Sequence, residues 1–200
     1  MGRKSEQGRK NFLRDAERTV NHLYNCVSLA VWVPFNEGWG QFDAADMAAK
    51  VRSWDSSRAI DHASGYFDRK AGDFHSYHIY FKPFSPRPDS EKRVLALTEF
   101  GGYSLPSEGH TVSPVLYGYK MFSDKKTLNE NILKLYENDV LRNMSEGLSA
   151  AVYTQVSDVE DEINGLFTYD RKEIKVDASV MKQIADKLKK TFEENSASAD

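Results

Sequence analysis

The chain has 200 residues, the size of one ordinary domain or of a piece of a larger one. With 40% hydrophobic and 28% charged residues it fits neither a disordered tail nor a membrane-spanning chain, and no apolar run approaches the ~20 residues a span needs. Its net charge of −3, from 27 basic and 30 acidic residues, is well mixed. That excludes the basic stripe of a nucleic-acid or anionic-membrane binder. The one cysteine, Cys26, excludes an internal disulfide framework and a clustered-thiolate zinc site, and the first residues lack the apolar core of a signal peptide. Localisation is not legible.

The apolar spacing predicts a helix over 9–25, through Phe12, Leu13, Ala16, Val20 and Leu23. The run SLAVWVPF (28–35) is apolar on both faces, which predicts a buried, parallel strand, followed at Asn36-Glu37-Gly38 by a turn. A second helix is expected over 42–54, then short strands over 59–63 and 74–80, joined by a polar connection. Pro83, Pro86 and Pro88 bar regular structure until Arg93. A further buried strand, VLALTEF (94–100), ends in Glu99 and Gly101-Gly102, and a long loop to Lys126 has the character of a lid. A capping box at Thr127-Leu-Asn-Glu130 opens a strong helix, 148–156 forms a last buried strand, and a final helix covers 180–192 with a frayed tail over 193–200. About five parallel strands alternating with helices or stubby connections give an α/β fold, either an open doubly wound sheet or part of a (β/α)8 barrel. No Gly-rich phosphate loop follows any strand, which weakens the nucleotide-binding versions of the open sheet.

In parallel α/β folds the chemistry lies at the carboxyl ends of the strands. Two of those ends carry glutamates, Glu37 and Glu99, where apolar surroundings make a carboxylate costly. Either alone is accounted for by a helix cap or a surface arginine. The two together, flanked by Asn36, Trp39 and Gly101-Gly102, point to a pair that splits a glycosidic bond: a protonated acid for the leaving oxygen, and an ionised nucleophile ~5–5.5 Å away.

The strings carrying these residues resemble glycoside hydrolase family 2, which includes β-galactosidases, β-glucuronidases and β-mannosidases. VWVPFNEGWGQFD (31–43) is similar to the family's acid/base segment at barrel strand four, and VLALTEFGGYSLP (94–106) to its nucleophile segment at strand seven. DFHSYHIY (73–80) resembles strand six, and AAVYTQVSDVEDEINGLFTYDRKEIK (150–175) resembles strand eight and its exit in the β-galactosidase-like subset. The resemblance covers roughly residues 9–192. It implies the C-terminal part of a TIM-barrel-type catalytic domain, strands four to eight, spanning 1–200 as a single domain. It also implies a retaining exo-β-glycosidase with a β-linked glycoside or oligosaccharide as substrate and no cofactor. By resemblance Glu37 is the general acid/base, Glu99 the nucleophile and Tyr80 the hydrogen-bond donor that keeps Glu99 ionised. Asn36 binds the sugar 2-hydroxyl, and Trp39, His78 and Tyr153 line the sugar subsite. The family's strand-eight tryptophan platform has Tyr153 as its nearest counterpart here.

The resemblance begins at helix three, and five strands cannot close an eight-strand ring. Open edges expose apolar surface and unpaired backbone, so the expectation is either a cut-down piece of a longer barrel or a chain completed by a partner, a second copy at the open sheet edge included. Two alternatives stand beside the glycosidase. One is an inactive or sugar-binding-only barrel fragment that self-associates. The other is a metal-dependent barrel hydrolase using His62, His75, His78, Asp158 and the two glutamates; His75 and His78, three apart on a strand, point to opposite faces, which counts against it. A glucuronate pocket would need a cation, with Lys82 and Arg87 the nearest at the exit of the third strand.

Overall fold

A computed structural model describes residues 2–197. The chain forms two compact units: residues 1–78 with 88–98, and residues 79–87 with 99–200. The boundaries fall inside two strands, between His78 and Ile79 and between Thr98 and Glu99.

In the first unit, α1 (Glu6–Leu23) opens on Ser5, whose hydroxyl accepts from the Gly8 N–H at 3.3 Å. Its stripe Phe12, Leu13, Ala16 and Val20 packs onto the core around Trp32, Phe35, Phe42, Met47, Val51 and Ile60. Phe12, Phe35 and Phe42 form a ring triad with centroids 5.2–5.6 Å apart, Phe12 stacked on Phe35 and both meeting Phe42 edge-on. The helix α2 (Ala44–Trp54) buries Ala44, Met47, Ala48 and Val51 on one face. The strands β1 (Val31–Trp32) and β2 (Ala59–Ile60) pair in parallel, and Asn36 and Ser64 form one further parallel bridge. Buried Asp55 ties these parts together. It accepts from Trp32 Nε1 at 2.9 Å, from Arg58 at 2.7 Å and from the Ser57 N–H and hydroxyl. Led by the Ser57 hydroxyl, these donors hold its carboxyl well below the usual range.

The strands β3 (Phe74–Ile79) and β4 (Val94–Gly101) make a three-stranded sheet with β7 (Leu148–Thr154), in the order β3-β4-β7. In the second unit the loop after β4 carries β5 (Tyr103–Ser104) and β6 (Lys120–Met121), a short parallel pair. The helix α3 (Lys125–Leu135) runs through a π-helical turn (Tyr136–Leu141) into the short α4 (Arg142–Met144). With α5 (Ala178–Ala197) it buries Leu128, Ile132, Val176 and Ile184 against Leu105 and Phe122. Among the described residues no helix is long and apolar enough to cross a membrane.

The α/β class with parallel strand pairing is as expected, and the elements fall where periodicity put them, but several details differ. The run 28–35 is strand only at Val31–Trp32: Pro34 has no N–H to donate, and Val33 is 49% exposed, so its apolar character is not burial on both faces. Likewise β7 is not buried along its length: Ser149, Ala151 and Val152 are exposed, Val152 to 56%. The helix cap is Asp124, three residues before Thr127, accepting from the Thr127 N–H at 2.8 Å and its hydroxyl at 2.9 Å; a carboxylate outcompetes the hydroxyl for the free amide. The region read as an irregular lid holds β5 and β6, too short to show a period. The tail is helical from Glu193 to Ala197, and its last three residues lie outside the described ones.

The polar node of the second unit is Lys175, 2% exposed. Its ammonium donates to Asp158 Oδ1 at 2.6 Å, to the Ile163 carbonyl at 2.8 Å and to the Leu105 carbonyl at 3.1 Å. Asp158 also accepts from the Gly165 N–H at 2.8 Å, so the charges are fully partnered and pin the segment after β7 onto the loop after β4. Removing one member of such a pair strands the other charge in the interior. Lys175→Met is therefore expected to cost about 3 kcal/mol or more in urea unfolding. Lys182→Met, which breaks an exposed pair with Asp186, should cost under about 1 kcal/mol. Equal losses would remove Lys175 from this role.

Candidate active site

Each predicted carboxylate has a built setting within its own unit. In the first unit the chain leaves β1 and reaches Glu37, which adopts a left-handed backbone, φ 52°. That conformation costs a non-glycine residue of order 1 kcal/mol or more and persists only where the surroundings impose it. Ser64 imposes it: its carbonyl accepts the Glu37 N–H at 3.0 Å, and its own N–H donates to the Phe35 carbonyl at 2.9 Å. The same serine's hydroxyl lies 3.1 Å from His78 Nε2 and 2.9 Å from Thr98 Oγ1. His78, its side chain fully buried, turns Nδ1 to Glu37 Oε1 at 2.9 Å.

These contacts admit a consistent proton assignment. When Glu37 is ionised, His78 Nδ1–H donates to it, Nε2 accepts the Ser64 hydroxyl, and Ser64 in turn accepts from Thr98. When Glu37 carries a proton, that proton is donated to Nδ1, and Nε2–H turns to Ser64. The Glu37 side chain stays 27% exposed, so it is both oriented and reachable. Gly65 makes the approach possible: a Cβ there would sit 2.3 Å from the His78 ring.

In the second unit, Glu99 Oε2 accepts a 2.5 Å hydrogen bond from the Tyr80 hydroxyl, whose oxygen also lies 3.2 Å from Thr154 Oγ1. With a single phenolic proton committed to Glu99, the threonine hydroxyl donates to the phenol oxygen. Burial first, then the bond to Glu99, pushes the Tyr80 phenol well above the ordinary tyrosine range, so it remains a donor at every pH of interest. Tyr119 stacks flat on Tyr80 with centroids 3.8 Å apart, and Gly102 leaves room for both rings, since a Cβ there would meet Tyr119 at 2.4 Å. Beyond Thr154, Gln155 Nε2 donates to Asn164 Oδ1 at 2.8 Å and to Glu162 Oε2 at 3.2 Å. Burial, Asp161 and Glu99 together raise the Glu162 carboxyl above the usual range.

The remaining predicted residues are placed variously. Asn36 is exposed and bridged to Ser64, and its carbonyl accepts the Trp39 N–H at 3.0 Å in the turn that presents Glu37. Trp39 is 70% exposed. Tyr153 lies inward, edge-on to Phe100 at 5.7 Å and 6.3 Å from Tyr136, with burial raising its phenol above the ordinary range. Of the ligands named for a metal centre, His62, His75 and Asp158 are engaged elsewhere. His62 Nε2 accepts the Arg69 N–H at 2.9 Å, and burial lowers its proton affinity; His75 faces Asp89 at 3.8 Å, and Asp158 is bound to Lys175. Ser64, at the bridge beyond β2, Thr98 inside β4, Thr154 at the end of β7 and Tyr119 have no role in the sequence reading.

No family model matches the chain. No curated protein matches it either. Solved structures do. A β-glucuronidase of Faecalibacterium prausnitzii superposes with a TM-score of 0.63 at 14% identity, over 88% of this chain and 35% of that one. An FMN-binding β-glucuronidase of F. prausnitzii L2-6 gives 0.59 at 16%, over 86% and 31%. A β-glucuronidase of an uncultured Clostridium gives 0.59 at 12%, over 88% and 36%. The chain thus spans about a third of the length of these structures and shares the fold of that part of a glycosidase. At such identities the likeness establishes the fold alone.

The proton assignment has a direct check. With Glu37 ionised, the imidazole 15N spectrum of His78 should show the Nδ1–H tautomer, and Glu37→Ala should shift it toward Nε2–H. A tautomer unmoved by Glu37→Ala would mean that the glutamate does not orient the histidine.

Proposed function

We propose that this chain carries the catalytic machinery of a retaining exo-β-glycosidase, with Glu99 as nucleophile and Glu37 as general acid/base. The observation that carries the reading is the difference between the two carboxylate settings. Glu99 is held by a phenol that can only donate, which fixes one carboxylate oxygen and suits a carboxylate that attacks an anomeric carbon. Glu37 is held by an imidazole that can give or accept a proton, which suits a group that must first protonate the leaving oxygen and then take a proton from water. Two carboxyl groups whose partners push them toward opposite tasks are the pattern of glycoside hydrolysis.

In this reading the substrate's leaving oxygen receives the Glu37 proton as Glu99 closes on C1 to give a glycosyl ester. Water, deprotonated by Glu37, then releases the sugar with its original configuration. Asn36, at the exposed shoulder of the Glu37 turn, would meet the 2-hydroxyl, and Trp39 the outer face of the substrate. His78 serves as a positioning residue for Glu37 rather than a sugar contact, because both its ring nitrogens are engaged within the protein. The sugar we favour is neutral and galactose-like. Glu162, tied to Gln155 and close enough to Glu99 to feel its charge, would repel the carboxylate of a glucuronide.

The test is a panel of nitrophenyl β-glycosides with the product anomer followed by NMR. The expected result is faster turnover of β-galactoside than β-glucuronide, release of the β-anomer, and a loss of about 10³-fold or more in kcat for Glu99→Gln. Turnover unchanged in Glu99→Gln would refute the assignment of the nucleophile. A preference for the glucuronide would refute the role given to Glu162.

A further inference from the structure

The second unit holds a cavity of about 620 Å³ whose walls include Tyr80 and Tyr119 but not Glu99. Its size falls in the range of small-molecule sites. One wall is the segment leaving β3, from Ile79 to Phe84; the other is the face of α3 and the π turn that presents Asn131, Leu135 and Asn138. That face is polar where a helix packed onto a body would be apolar.

Four cations border it: Lys82 after β3, Lys120 of β6, Lys134 of α3 and Arg142 of α4. Lys120 sits 5.0 Å above the Tyr103 ring and 5.2 Å above Phe122, and donates to Asn131 Oδ1 at 3.3 Å. Among the described residues no carboxylate pairs with Lys82, Lys134 or Arg142. Elsewhere in the same unit Lys182, Lys189 and Lys190 each face an acid one turn along their helix. The one acid in the cavity wall is buried Asp139, which accepts the Phe84 N–H at 3.2 Å. Being buried, it presents no exposed carboxylate to the hollow. In a chain of net charge −3, four cations gathered about one hollow with no exposed acid among them form a local reversal of sign.

We propose that this cavity binds a small phosphate ester that carries a ring. The phosphate dianion would be held by Lys82, Lys134 and Arg142, and the ring would lie against Tyr103 and the Tyr80–Tyr119 stack. Several separated cations suit a tetrahedral group with three acceptor oxygens, where a single carboxylate would satisfy only one of them. The aromatic walls supply flat apolar area for a ring face.

The test uses adenosine 5′-monophosphate, adenosine and inorganic phosphate as probes, with titration calorimetry and the tyrosine ring signals as readouts. The monophosphate should bind with a Kd of roughly 1 mM or tighter, weaken as salt is raised, and shift the Tyr103 and Tyr119 resonances. Adenosine and inorganic phosphate should each bind at least about tenfold more weakly. The double substitution Lys134→Gln with Arg142→Gln, at exposed positions, should cut monophosphate binding about tenfold or more while circular dichroism and the urea midpoint stay as in the parent. Absence of monophosphate binding at about 10 mM, or binding unaffected by the double substitution, overturns the proposal. Adenosine or inorganic phosphate binding as tightly as the monophosphate overturns it too, since the pocket would then read only a ring or only an anion.

Discussion

The arrangement around Glu37 depends on Ser64. This one buried residue satisfies the Glu37 amide with its carbonyl, anchors to Phe35 through its own amide, and places its hydroxyl between His78 and Thr98. The backbone bonds fix an acidic residue in a left-handed conformation that would otherwise relax, and the hydroxyl fixes the imidazole that meets its carboxylate. The strain is local and the restraint is short-range: β1 and β2 extend only two residues each before the bridge at Asn36 and Ser64.

The second unit solves the complementary problem with different chemistry. A phenol that stays protonated replaces the imidazole, and ring stacking replaces the backbone bridge as the means of holding it. The two carboxylates thus differ in their partners: Glu99 meets a group that only donates, and Glu37 one that can give or accept a proton. The buried Lys175–Asp158 pair underlies that unit by holding the segment after β7, which carries Glu162 and Asn164 toward Gln155.

Much of this was legible in the sequence because the signals are strong where the structure repeats. The stripes of α1, α2, α3 and α5 have helical spacing, and β3 and β4 stand at their expected places. The glutamates stood out because a carboxylate at the end of an apolar strand needs a reason. Burial on each face was not legible: SLAVWVPF and LSAAVYT carry apolar residues on both alternating faces, and only the structure shows that Val33 and Val152 are exposed. The roles of Ser64, Thr98 and Thr154 were hidden for a different reason. Small hydroxyl residues are common in and beside strands, and their partners lie 14 to 74 residues away in the chain. His78 showed the same limit, since a buried histidine oriented toward a glutamate and one that touches sugar read identically in a sequence.

The measurement that bears most directly on the central claim is covalent trapping of the nucleophile. The chain is incubated with 2-deoxy-2-fluoro-β-galactosyl fluoride, and its peptides are mapped by mass spectrometry. The account predicts a single fluorosugar ester on the peptide containing Glu99, absent from Glu99→Gln. A label on another carboxylate, or no label where the parent chain hydrolyses β-galactosides, would contradict it.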